Sequence, residues 1–362
     1  MHLRFERVGG HFAAVCTTAV DLREPTPEVV SAIQRALDAH GVLCFRNQQA
    51  MTPEHDFKLA QCFAHDPAEA HPSASSLLYG DRGEPWIPGV PAVRLVGRAT
   101  VRGYFGVSGG VRNYSDWAPE QRAWHSDGTA DTAPFPPRYG LLRAVIAPRG
   151  GGGDTLFACT RRIAARVLAR EATAPAPSSS SSSAAVAAVA AAAAPAAAPA
   201  GEPAFDPPPS LARALYRRPA AMRRSLDGIT LYACEGTLTA SHGPYPLLAG
   251  GGRGGGGGGA GPPLLIFNNN LEAVVRPDGS RLGAAESQAY MRRLLAAELN
   301  DDRSLYRHRW REGDLLLWDQ WATLHTATAA CQFGEQERLL HRVRLRGPRA
   351  PAPWRPELRA RL

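Results

Sequence analysis

The sequence predicts a mixed α+β domain built mainly from strands, arranged as a barrel or sandwich with helices on its outside. Three observations carry this. Many apolar segments are short and bounded by turn residues, the pattern of strands rather than long helices. Two segments open on Thr-Pro-Glu and keep helical spacing. At 362 residues the chain can bury a large core, as one big domain or two ordinary ones.

In chain order, Thr26-Pro27-Glu28 starts a helix, with Pro suited to the first helical position. Val29, Val30, Ile33 and Leu37 form its apolar stripe, and Gly41 stands where a C-terminal cap belongs. Val42–Phe45 reads as a buried strand. Thr52-Pro53-Glu54 opens a second, short helix ending near Phe63. Strands are predicted at Tyr139–Ile146 and Leu156–Ala158, then a helix from about Arg161 to Arg170, a strand at Leu264–Phe267 and a helix at Glu286–Leu299. Four short strand-like runs follow: Leu305–Trp310, Leu315–Trp318, Thr323–Thr328 and Leu339–Leu345.

Two low-complexity stretches interrupt this pattern. Residues 172–209 hold a Ser run, an Ala/Pro run and a triple Pro, and residues 249–263 are almost all Gly. Neither buries enough side chain to offset its ordering entropy, so both are expected to be disordered insertions. The expectation is a single domain over residues 1–362, with a core from about 11 to 347 and a basic Pro/Arg-rich tail at 348–362.

The net charge is +8, and Lys58 is the sole lysine. The basic excess sits in the tail rather than in a stripe interleaved with aromatics, so nucleic acid is discounted as a partner. No run reads as a membrane span, since the Ala/Pro/Gly tract near 184–200 is too weakly apolar. Met1–Gly10 lacks an apolar signal core. The six cysteines form no CxxC pair and read as reduced, mostly buried thiols. A cytoplasmic protein follows as the default, with organelle import left open.

The first chemical signal is Trp124-His125-Ser126-Asp127-Gly128-Thr129. In an extended chain residues i and i+2 share a face, so His125 and Asp127 project together. They supply two members of a 2-His-1-carboxylate facial triad, which leaves three coordination positions open. His-x-Asp alone is common by chance. The second signal is Glu312–Asp319, a Gly-Asp turn feeding an apolar strand, with His325 shortly after. A lone His there is usually structural. On the last strand Arg338 and Arg342 share parity, and an inward guanidinium is costly unless an anion meets it. His341 has the opposite parity and faces away.

His-x-Asp, a distant His325 and an Arg thirteen residues beyond it resemble the 2-oxoglutarate-dependent dioxygenases. More specifically, the chain is similar to the taurine dioxygenase and 2,4-dichlorophenoxyacetate dioxygenase (TauD/TfdA-like) family. The resemblance runs from about His11 to Gly347, outside the two low-complexity stretches. It rests on Gly41–Gln48 with Met51-Thr52-Pro53, Trp124–Asp127, Pro137-Arg138-Tyr139, Gly152–Phe157, Trp318-Asp319-x5-His325 and Arg338–Arg342.

This resemblance implies a double-stranded β-helix, a jelly roll of the cupin-like kind with flanking helices. It implies Fe(II) held by His125, Asp127 and His325 as the catalytic centre. Thr155 and Arg338 would hold the distal carboxylate of 2-oxoglutarate, consumed with O2 to give succinate and CO2 while a substrate is hydroxylated. Arg342 would anchor an anionic group of a small substrate, a sulfonate or carboxylate. His71, before Pro72, resembles a second contact in sulfonate-using relatives, and the backbone N–H of Gly128 offers a third. Gln121 stands where those relatives carry Asn, so taurine itself stays open. Intact Asp127 speaks against a halogenase. Similar proteins are often dimers or tetramers, so a homo-oligomer is within the expectation. Three other readings stay open: the same chemistry on a non-sulfonated or heterocyclic substrate, a non-catalytic jelly-roll binding protein, and an RNA-binding protein using the basic tail and Arg253-Gly254-Gly255.

Overall fold

The computed structural model describes residues 2–8, 12–63, 85–112, 124–127, 137–150, 152–173, 215–217, 245–246, 248–250, 262–265, 273–275, 295–296, 298–301, 303–328 and 337–346. The tail at 348–362 and most of both low-complexity stretches lie outside these residues, as does most of the helix expected at Glu286–Leu299.

The N-terminal part runs β1 (Phe5–Arg7), β2 (Ala14–Cys16), α1 (Pro27–His40), β3 (Val42–Phe45), α2 (Pro53–Gln61) and β4 (Trp86–Ile87). The long β5 (Val90–Tyr104), β6 (Val107–Arg112), β7 (Pro137–Ile146), β8 (Thr155–Cys159) and α3 (Thr160–Thr173) follow. Five short strands come next: β9 (Leu215–Arg217), β10 (Tyr245–Pro246), β11 (Leu248–Gly250), β12 (Pro263–Leu265) and β13 (Ala273–Val275). The chain then forms β14 (Tyr306–His308), β15 (Leu315–Asp319), β16 (Thr323–Ala327) and β17 (Arg338–Arg346).

Local chemistry accounts for the first helix. The Thr26 hydroxyl accepts from the Val29 N–H, Pro27 leads the first turn, and Val29, Ile33, Ala36 and Leu37 are buried. Gly41 takes φ 74°, a conformation that only Gly adopts without strain, and its N–H donates to the Leu37 carbonyl at 2.8 Å. The continuous apolar run Leu315–Trp318 is buried on both faces, as suits a central strand.

The main sheet has the order β1-β2-β3-β15-β7-β17-β5-β4, with β6 on β5. The β2–β3 pair is parallel, and the other pairs in this sheet are antiparallel. A separate three-stranded sheet has the order β14-β8-β16. Helices α1 and α2 cover one face of the main sheet, in a cluster with Ile33, Leu37, Leu59, Leu95, Leu141, Leu317 and Leu339. The opposite face meets the small sheet through Leu142, Leu316, Trp318 and Leu340 against Phe157 and Tyr306. Helix α3 packs on β12 and β16. Among the described residues no helix is long and apolar enough to cross a membrane.

The mixed α+β class with a β core holds, but the double-stranded β-helix does not. No sheet closes on itself among the described residues: the main sheet runs open from β1 to β4, and β14-β8-β16 stays separate. The reason lies in what occupies the edges. β1–β3 extend the sheet beyond β15, and the β4–β5–β6 strands extend it beyond β17, where a jelly roll would wrap toward the second sheet.

Two features make the sheet specific. Gly140 on β7 lies opposite Trp318, and a Cβ built there would overlap the indole. Gly140→Ala should cost about 1–3 kcal/mol of stability by overpacking. A thermal melt checks this, and an unchanged midpoint would show that Trp318 does not press on β7. Behind the sheet, Arg143 forks onto Asp56 of α2 at 2.7 and 2.8 Å. His341 Nδ1 lies 2.6 Å from the same carboxylate, and its Nε2 lies 2.9 Å from the Tyr104 hydroxyl. Burial would raise the Asp56 carboxyl, but His341 and Arg143 outweigh it and hold it below its usual range. Burial pushes His341 down despite Asp56. A neutral His341 that donates to Asp56 and accepts from Tyr104 satisfies all three groups. The network locks β17 to α2 on the face away from the chamber.

Candidate metal centre and cosubstrate pocket

The centre begins with one isolated cross-strand bridge. His125 and His325 exchange both backbone hydrogen bonds, at 3.0 and 2.9 Å. Such a pair puts its two side chains side by side on one face, and the imidazole centroids lie 4.4 Å apart. Two residues on, Asp127 returns to the same side. Its Oδ1 is 3.5 Å from His125 Nε2, and its Oδ2 is 3.9 Å from His325 Nε2.

The β15–β16 turn fixes this segment. The Asp127 N–H donates to Gln320 Oε1 at 2.6 Å, and the Ser126 hydroxyl donates to the Gln320 carbonyl at 3.0 Å. The turn is braced in its own right. Arg138 donates to Asp319 Oδ2 at 3.2 and 3.1 Å, and Asp319 Oδ1 accepts the Trp321 N–H at 2.9 Å. The Pro-Arg-Tyr and Trp-Asp motifs therefore serve to hold the turn from which Gln320 reaches Asp127. Gln320 was missed from sequence, although it directly follows Trp318-Asp319.

The donor set fits a divalent metal. Around an octahedral ion with bonds near 2.1 Å, adjacent donors sit about 3 Å apart, and these three lie slightly wider. Burial, then His125 and Arg342, push the His325 imidazole down to about 3 against the opposing pull of Asp127, so it is neutral and its lone pair is available. Burial would raise the Asp127 carboxyl, but Arg342 and the two imidazoles hold it well below its ordinary value, so it is ionised. Asp127 and His325 are buried, whereas the His125 side chain is 33% exposed, which opens the centre on that side.

A second set, Cys44, His308 and Asp314, also brings three donors together. There Asp314 is bound by Arg46 and by the Arg311 N–H, and it lies 3.2 Å from His308 Nε2. Burial pushes the Cys44 thiol up to about 12. That set is an internal ion-pair network already neutralised by a guanidinium.

Thr155 opens β8 opposite Ala327, two residues from the Phe157–His325 pair, so it shares the His325 face. Its hydroxyl accepts from Trp310 Nε1 at 3.1 Å. Trp310 was also missed, though it stands three residues before the Gly-Asp turn. Arg338, at the start of β17, is buried and donates to the Gly153 carbonyl at 2.5 Å. One stretch of chain thus links the two residues expected to hold the cosubstrate. Arg342 lies on the chamber side, with Nη1 3.8 Å from Asp127 Oδ1. His71, Gln121 and Gly128 lie outside the described residues.

Known proteins share this architecture. The chain resembles the crystal structure of a taurine dioxygenase from Burkholderia xenovorans, at 20% identity and TM-score 0.55, over 95% of this chain and 89% of that one. A putative alpha-ketoglutarate-dependent taurine dioxygenase from the same organism gives 19% and 0.56, over 97% and 92%. The structure of AAD-2 in complex with Mn(II) and N-oxalylglycine gives 17% and 0.60, over 97% and 100%. In sequence, 116 residues are 29% identical to the alpha-ketoglutarate-dependent xanthine dioxygenase xan1 of Schizosaccharomyces pombe, covering 30% of this chain. That match spans only 26% of the relative's length. The family described as taurine catabolism dioxygenase TauD, TfdA family matches residues 4–173 and 260–344, which is more than half of the chain. The chain belongs to that family.

Proposed function

We propose that this protein is an Fe(II)- and 2-oxoglutarate-dependent dioxygenase that hydroxylates a small organic substrate carrying a sulfonate or carboxylate. The observation that carries this reading is the His125–His325 bridge with Asp127 between its imidazoles, in a chain of this family. When bound, the Fe(II) supplies the oxidative chemistry: O2 and 2-oxoglutarate are consumed, succinate and CO2 leave, and a substrate C–H bond is hydroxylated. The protein's part is to hold and to exclude. His125, Asp127 and His325 would hold the metal. Arg338 offers a planar fork to the distal carboxylate of 2-oxoglutarate, with the Thr155 hydroxyl beside it. Arg342 presents a positive charge on the substrate side of Asp127. Phe157 and Trp318, with ring centres 5.9 and 5.4 Å from that of His325, wall the centre from water.

The test is a substrate screen of the iron-loaded protein, following succinate. Small sulfonates and carboxylates should stimulate its release. A screen in which only neutral compounds do so would refute the anionic-substrate reading. The match to a xanthine dioxygenase supports a second reading, the same chemistry on a heterocycle, and xanthine belongs in the screen for that reason.

Trp310→Phe keeps the aromatic packing and removes the N–H that orients Thr155. Losing one hydrogen bond of about 0.5–1.5 kcal/mol should raise the KM for 2-oxoglutarate roughly three- to tenfold. Steady-state kinetics check it, and an unchanged KM would remove Trp310 from the cosubstrate site.

A further inference from the structure

Among the described residues, the strand pairing that joins the two imidazoles stops at the isolated His125–His325 bridge. Asp127 lies two residues beyond it, so another contact must set the direction of its carboxylate. Gln320 supplies that contact twice. Its side-chain Oε1 accepts the Asp127 N–H at 2.6 Å, and its main-chain carbonyl accepts the Ser126 hydroxyl at 3.0 Å. Fixing that N–H fixes the planar peptide unit before Asp127, and with it the Cα from which the carboxylate projects. Gln320 is held in turn. Its N–H donates to the Arg138 carbonyl at 2.6 Å, and the preceding Asp319 receives the Arg138 guanidinium at 3.2 and 3.1 Å. The residue is 1% exposed.

The other end of the same amide separates this from ordinary packing. An N–H can face only the amide oxygen, so the NH2 group is turned away from Asp127. That NH2 is buried and meets no acceptor among the described residues. A buried donor left unmet costs stability, and a side chain that served packing alone would carry no such cost. An amide does accept the Asp127 N–H without setting a second charge beside an ionised carboxylate. We propose that Gln320 is the positioning residue of the metal centre: by gripping the Asp127 backbone it aims the carboxylate between the two imidazoles, and so sets metal affinity and geometry without being a ligand. The proposal rests on the dioxygenase reading above and extends it to a residue outside the three ligands.

The test measures metal binding, not turnover. Co(II) is titrated into the full chain with 2-oxoglutarate present and O2 excluded. Calorimetry gives the affinity, and the visible absorption of the bound ion reports its coordination geometry. Gln320→Met keeps the length of the side chain and loses the acceptor. Removing a group that orients a metal ligand costs about 10–100-fold in metal affinity, and the Co(II) bands should shift from those of wild type. The melting midpoint of the metal-free variant should move little, because Met leaves the Asp127 N–H unmet but also removes the unmet NH2. Gln320→Glu keeps an acceptor at the same reach, so it should recover most of the affinity and the wild-type bands. Gln320→Ala, with the same loss expected, carries the test if Gln320→Met fails to fold. Variants without the acceptor that bind Co(II) like wild type, with unchanged bands, overturn the proposal. So does Gln320→Glu binding as weakly as Gln320→Met. A wild-type chain that binds no Co(II), or Asp127→Ala binding it as tightly as wild type, overturns the metal centre itself, which separates the two failures.

Discussion

Replacing Asp127 with alanine is expected to abolish succinate release from 2-oxoglutarate. Removing a group that only orients a metal ligand costs roughly 10–100-fold in affinity or activity, so removing the carboxylate ligand itself should cost more than about a hundredfold. Asp127 is the informative choice among the three. His325 packs against Phe157 and Trp318, so its truncation also opens a cavity and confounds activity with stability. Asp127 is fixed chiefly through its backbone N–H to Gln320, a contact that alanine keeps. Its carboxylate lies 3.8 Å from Arg342, so the variant leaves that guanidinium less well neutralised, and the melting midpoint should fall only modestly. Coupled detection of succinate, with a thermal melt beside it, checks both halves. A folded variant with wild-type turnover would remove Asp127 from the metal centre.

The second large effect is at Arg338. Truncating one partner of a buried, charge-assisted pair costs about 2–5 kcal/mol. At about 1.4 kcal/mol per decade, the apparent affinity for 2-oxoglutarate should fall by roughly a hundredfold in Arg338→Ala. Arg338→Lys keeps a charge without the fork and should sit between the two. Arg338 also donates to the Gly153 carbonyl, two residues before Thr155, so the alanine variant loosens both sides of the expected carboxylate site. KM and kcat measured against 2-oxoglutarate separate this from a general loss of function. The KM should carry the effect. An unchanged KM would pass the anchoring role to Arg342.

The sequence was most informative where local chemistry decides structure. Thr26, Pro27 and Gly41 bound α1 by capping rules that need no tertiary knowledge. Parity alone put Arg338 and Arg342 together and His341 on the other face, because a strand alternates with period two. The partner that makes His341 tolerable in the core, Asp56, lies 285 residues away, and no local rule reaches that far. The β5–β6 hairpin was not foreseen. Its apolar pattern is broken by Gly110 and by Gly97, Gly103, Gly106 and Gly109, the last four of which take positive φ. The closed jelly roll, which the family resemblance implied, was the largest overreach: shared motifs place the site residues but do not say whether edge strands wrap round or extend the sheet. At the site, His125 and Asp127 were legible as an i, i+2 pair. That His325 would bridge to His125 was not, since the segment is held by the Arg138–Asp319 brace and by Gln320, contacts that span 181 and 193 residues.

The central claim, that His125, Asp127 and His325 form one Fe(II) centre serving 2-oxoglutarate, is tested most directly by an anaerobic Fe(II) titration of the full chain. It is run with and without 2-oxoglutarate, on wild type and on Asp127→Ala. One Fe(II) per chain, bound more tightly when 2-oxoglutarate is present and lost in the variant, is the predicted result. Iron bound equally well by Asp127→Ala, or a wild-type chain whose affinity for iron ignores 2-oxoglutarate, would contradict it.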